Sequence, residues 1–195
     1  MPTIFIVLVG ALMIGCSSPR VQEQAQYDLG SSHALSDGVV ALPPVIVADV
    51  NAPAWLDSTK MIYRLAYASD QQMRSYAQSR WTMPPARLFE HRLKARIAQA
   101  GGAVLSITDG AANLPLIRID MEDFSQVFDS AAHSIAHVMV RVSVLRGRSL
   151  LVQRTFKRGS PTQTADAIGG AVALAATSDA LIDDIIVWLA KQPLK

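Results

Sequence analysis

Residues 135–157 read IAHVMVRVSVLRGRSLLVQRTFK. Val138, Val140, Val142 and Val144 recur at every second position between Ile135 and Leu145, the period of a strand with one buried face. Arg146-Gly147-Arg148 has tight-turn composition and 149–157 resumes an extended pattern, so the stretch predicts a β-hairpin. Just upstream, between 116 and 123, Ile117, Ile119 and Met121 alternate with Arg118, Asp120 and Glu122, which adds a third strand. Strands of this kind need a cover for their apolar face. The chain supplies one from Thr164 to about Lys191, where Ile168, Val172, Ala175 or Ala176, Leu181 or Ile182, Ile185 and Leu189 follow a helical period. Thr162 or Thr164 is placed to cap that helix. Its stretch 167–177 is apolar and small, but Asp166, Asp179, Asp183 and Asp184 cut it far below the roughly 20 residues of a membrane span.

The first half repeats the scheme. Tyr27–Gly30 is a short strand signal, 31–38 has turn composition, and 43–49 (PPVIVAD) is a β-branched run. Met61–Tyr67 reads as a strand with 72–80 as its hairpin partner. Pro84-Pro85 opens a helix that runs to about Ala100 and stops at Gly101-Gly102. Leu88, His91 or Arg92, Ala95 and Ala98 or Gln99 trace its period, with Leu93 and Ile97 on the buried side. The element order predicts an α+β fold: an antiparallel β-sheet covered by two main α-helices, in a single domain over 27–195.

Half of the 195 residues are hydrophobic and the net charge is +2, which suits a folding chain. Segments 87–96 and 146–158 are locally basic but form no long cationic stripe, so nucleic acid is not expected as a partner. Ile4 to Ile14 is continuously apolar or glycine, too short to span a bilayer but suited to a signal-peptide core. It ends in Met13-Ile14-Gly15-Cys16, and Cys16 is the only cysteine. The segment resembles a bacterial lipobox, although Met13 stands where leucine is usual and Met1-Pro2-Thr3 carries no basic residue. On this reading 1–15 is a lipoprotein signal peptide, Cys16 carries the acyl chains, and 16–26 is a lipidated, polar tether. Ser17 follows the cysteine where an aspartate would favour inner-membrane retention, so the expected address is the periplasmic face of the outer membrane.

Catalytic signatures are lacking. No Gly-x-Ser-x-Gly elbow, Walker loop or Gly-x-Gly-x-x-Gly occurs, and neither a cofactor nor a metal is expected. His133 and His137 would make a metal pair on a helix, but they enter a strand, where four residues span roughly 13 Å. Asp183-Asp184 diverge on a helix surface. The chain is expected not to be an enzyme.

The uncommon residues cluster in APAWLDSTKMIYR (52–64) and YAQSRWTMPPARLFEHRL (76–93). With the upstream YDL (27–29), these stretches resemble the ABC-type transport auxiliary lipoprotein family over essentially all of 27–190. The resemblance implies a non-enzymatic part in envelope lipid transport. The implied partners are an MCE-domain periplasmic protein with its inner-membrane permease and ATPase, or a Pqi-type membrane protein in their place. The outer membrane is contacted through the acyl chains, and exposed sheet edges leave a homo-oligomer open. Trp55, Leu56, Tyr63, Arg64 and Trp81 either serve the core or present a partner or lipid surface. The competing classes are a carrier lipoprotein holding lipid within its own fold, a structural cell-wall lipoprotein and, last, a hydrolase.

Overall fold

The computed structural model describes residues 24–31, 42–111 and 113–194. Cys16, the signal segment and most of the tether lie outside the described residues, as does nearly all of the 31–38 turn segment. In chain order the elements are β1 (Ala25–Tyr27), β2 (Val45–Val47), β3 (Lys60–Leu65), β4 (Ser69–Trp81) and α1 (Pro85–Gln99). Then follow β5 (Val104–Leu105), a 3-10 turn (Ile107–Asp109), β6 (Leu116–Phe128), β7 (Ser134–Arg146), β8 (Ser149–Pro161) and α2 (Ala167–Leu189).

All eight strands join one sheet, and the expected α+β domain with two helices is present. The hairpin β7–β8 and the pair β6–β7 are antiparallel over nearly their full lengths. The other edge of β6 is shared. Near its start β2 pairs with it, followed by β5; near its end β3 pairs with it, followed by β4 and β1. The expected antiparallel arrangement holds for β3–β4, β6–β7 and β7–β8, the pairs joined by tight turns. The short pairings β1–β4, β2–β5, β2–β6 and β3–β6 are parallel, since longer connections let a strand return in the same direction.

Ile117, Ile119 and Met121 are buried on one face of β6, as their alternation predicts. At Glu122 the register slips: Met121 faces Val140 but Asp123 faces Met139, a β-bulge. The buried set then resumes one residue out of phase, at Phe124, Gln126 and Phe128. The strand therefore continues five residues beyond the end of the legible pattern at 123.

The helices bury only part of the face their apolar periods mark: Leu88, Leu93, Ile97, Leu181, Ile182, Ile185 and Leu189 point inward as expected, and most of the remaining positions do not. In α1 the buried set is Leu88, Phe89, Leu93 and Ile97 with Arg92 and Arg96, while His91, Ala95, Ala98 and Gln99 are exposed. The two arginines are tolerated inside because Asp179 and Asp183 of α2 meet them. In α2 the exposed residues include Ile168 (61%) and Val172 (58%), and the start of the helix packs through Gly169, Gly170 and Ala171. A Cβ on Gly170 would lie 2.2 Å from Gln126 Oε1, so any side chain there would have to displace the Gln126 amide. The helix begins at Ala167 and its N-cap is Asp166, not Thr162 or Thr164. The Asp166 carboxylate accepts the Gly169 N–H at 2.8 Å and the Thr164 hydroxyl at 2.8 Å. Thr162 is instead held at the end of β8 by Ser134. The first strand also ends earlier than expected, at Tyr27, because Asp28 accepts the Gly30 N–H at 2.7 Å and turns the chain.

Candidate functional site

The five side chains picked out from 52–93 divide into two groups. Leu56 and Trp81 are each only 1% exposed and belong to the core, with Trp81 edge-on to Phe124 at 5.4 Å. Trp55, Tyr63 and Arg64 are half-buried. Trp55 stands in a turn closed by the Leu56 N–H on the Pro53 carbonyl at 2.8 Å. The Arg64 guanidinium lies 5.8 Å from its ring centroid and donates to the Asp70 carbonyl at 3.1 Å. That arginine thus ties the Trp55 loop to the start of β4. Tyr63 packs on Tyr76 at 4.6 Å and meets the edge of Phe128 at 5.9 Å.

Below this cluster runs a chain of neutral polar groups. The Tyr76 hydroxyl donates to Gln126 Oε1 at 3.0 Å, and Gln126 Nε2 donates to Ser134 Oγ at 2.8 Å. Ser134 Oγ and Thr162 Oγ1 are 2.7 Å apart. Burial, with Tyr63 and Asp166 nearby, pushes the Tyr76 phenol above its ordinary range, so it remains a donor. The bulge in β6 aims Gln126 inward, and the chain satisfies it there, joining β4, β6, β7 and the approach to α2. It contains no base poised to take a proton.

Two grooves flank α2. One, of about 750 Å³, lies between α2 and β8. Phe156 meets Trp188 edge-on at 5.4 Å inside it, and Arg154 covers Phe156 at 4.8 Å. Arg158 donates two bonds to Asp184, at 2.6 and 2.9 Å, and this pairing raises the arginine's pKa further. Sequence reasoning passed over this groove, although Arg154, Phe156 and Arg158 share one face of β8 by their spacing. The second groove, of about 500 Å³, lies between β1 and α2 and is lined by Tyr27, Leu29, Ala171, Val172 and Ala175.

The histidines stay apart in role. His133 Nδ1 lies 2.9 Å from Asp129 in the β6–β7 turn, and His137 sits within β7. Among the described residues no group of three or more His, Cys, Asp or Glu side chains could hold a metal ion. Asp183 and Asp184 diverge as their helical spacing requires, Asp183 inward to Arg96 and Asp184 outward to Arg158. No helix among the described residues is long and apolar enough to cross a membrane.

The comparisons with known proteins agree with this architecture. A family model described as ABC-type transport auxiliary lipoprotein component matches residues 27–186. Protein XCC0632 from Xanthomonas campestris, a DUF330 protein, shares the fold with a TM-score of 0.69 at 16% identity, over 86% of this chain and 92% of its own. The crystal structure of an uncharacterized protein matches with a TM-score of 0.64 at 14% identity, over 84% and 97% of the two chains. The hypothetical protein CT253 from Chlamydia trachomatis matches at 0.52 and 8% identity, over 76% and 97%. No curated protein sequence matches the chain.

Proposed function

Because the chain belongs to the ABC-type transport auxiliary lipoprotein family, we propose that it docks the outer-membrane end of a periplasmic lipid-transport conduit built from an MCE-domain protein. The observation that carries this reading is the extent of the family match, 27–186, which spans β2 to β8, the last residue of β1 and nearly all of α2. In this reading Cys16 is acylated and holds the domain on the periplasmic face of the outer membrane. The role is that of a non-catalytic adaptor, serving an inner-membrane permease and ATPase or a Pqi-type membrane protein. The half-buried Trp55, Tyr63 and Arg64 are its candidate partner contacts. Trp81 and Leu56 act behind them as support.

An adaptor is favoured over a carrier by the interior. The space between sheet and helices is filled by Trp81, Phe89, Phe124, Leu93, Ile97 and Met61, all under 2% exposed. Both large grooves are on the surface. Crosslinking in native cells, followed by purification of the lipoprotein, should recover the neighbouring MCE-domain protein. Cys16→Ala should leave a folded domain that no longer sediments with outer membranes. Recovery of the wild-type protein alone, with the MCE-domain protein present in the same cells, would overturn the docking role. A lipid bound in stoichiometric amount in native mass spectra would favour the carrier.

A further inference from the structure

Lys60 and Arg80 stand directly opposite each other in the antiparallel β3–β4 pair. Like charges in that position repel, and they persist where an anion or solvent separates them. Neither has an acidic partner within ion-pair distance among the described residues. Both line an open groove of about 360 Å³, together with the hydroxyl residues Thr59, Ser75 and Ser79 and with Gln24. Among the described residues the lining holds two cations and several neutral donors but no carboxylate, the composition that suits an oxyanion.

Its position identifies the source of that anion. Gln24 reaches the wall through its amide, which donates to the Ala77 carbonyl at 2.7 Å. Gln24 lies eight positions after Cys16, and an extended chain spans at most about 3.6 Å per residue, so the groove lies within roughly 30 Å of the acylated end. We propose that the Lys60–Arg80 groove binds the phosphate of anionic phospholipid headgroups in the membrane that carries the anchor, fixing the orientation of the domain on that surface. The inference rests on acylation of Cys16 and not on the identity of the transport partner.

The test uses the full-length acylated protein in vesicles. Because Cys16 is the only cysteine and its sulfur is acylated, Ala77→Cys offers a single labelling position in the groove wall. A nitroxide there should be open to a water-soluble relaxing agent in phosphatidylcholine vesicles and shielded when phosphatidylglycerol is added. Each cation near an anionic surface contributes enough that losing both should cut the ratio of shielded to exposed label by roughly thirtyfold, and Lys60→Glu/Arg80→Glu, which also adds two negative charges, should cut it further. Lys60→Gln/Arg80→Gln relieves the repulsion without a charge reversal, and should also lose most shielding while keeping the wild-type circular dichroism. Equal accessibility in both vesicles, with labelled palmitate incorporated, would overturn the groove and leave the anchor standing. Failure to incorporate palmitate would overturn both. Shielding by millimolar inorganic phosphate without phosphatidylglycerol would reassign the site to a free phosphate and overturn the headgroup proposal.

Discussion

Trp55 and Trp81 stand 26 residues apart in one distinctive segment, yet the fold spends them differently. Trp81 closes β4 at 1% exposure against Phe124, whereas Trp55 keeps part of its ring at the surface beneath Arg64. Truncation should separate the two roles. Trp81→Ala is expected to cost about 3–5 kcal/mol in urea unfolding, as removal of a large buried aromatic does. Trp55→Ala or Arg64→Ala should cost about 1 kcal/mol, the scale of one partly exposed cation–π contact. If those two variants also lose crosslinking to the partner while remaining folded, the Trp55 corner is the contact. Glu90 shows the same dependence on neighbours. Its burial would raise the carboxyl's pKa, but Lys94 at 2.9 Å and the Val50 N–H at 3.1 Å outweigh that and hold it below the ordinary range.

At the scale of elements, α2 depends on how it starts. Asp166 is exposed, but the Gly169 N–H and the Thr164 hydroxyl hold its carboxyl below the ordinary range. A depressed carboxyl stabilises the fold above its unfolded pKa, near 3.9, and that contribution is lost as pH falls through the folded value. Asp166→Ala should therefore cost about 1 kcal/mol at pH 7, while Asp166→Asn, a comparable cap, should cost little there. The asparagine variant should lose less stability than wild type when unfolding is followed from pH 5 down to pH 2.5. An identical acid slope for both would remove Asp166 from the account. The cap was missed in the sequence because Thr162 and Thr164 offer the same chemistry a few residues earlier. Only the length of β8, which runs to Pro161, decides that the helix begins later.

For the whole molecule, the two helices are keyed to each other by charge. Arg92 and Arg96 are four residues apart on α1, and Asp179 and Asp183 are four apart on α2. They pair in order, Arg92 with Asp179 at 3.6 Å and Arg96 with Asp183 closer still, and Arg92 also donates to the Leu29 and Gly30 carbonyls. Removing one member leaves a charge stranded in a site that holds Arg96 at 1% exposure. Arg96→Met alone should cost about 3–5 kcal/mol, and Arg96→Met/Asp183→Leu should recover most of it. A double variant no more stable than the single one would show that Arg96 acts through packing instead of charge.

The alternations in 116–123 and 135–145, the proline-led helix and the long C-terminal helix were legible because their periods are local. A strand repeats every two residues and a helix every 3.6, whatever surrounds them. They sufficed for an α+β domain with two helices, and the order of rare residues in 52–93 sufficed for the family. The apolar part of the inward helix faces was legible, but the charged part was not, since Arg92 and Arg96 are buried only because Asp179 and Asp183, more than 80 residues away, arrive beside them. The bulge at Glu122, the parallel strands on β6 and the meeting of Lys60 with Arg80 belong to the same class. Each depends on strand register, and register is set by the closing of long loops and the packing of distant faces, which no window of sequence contains.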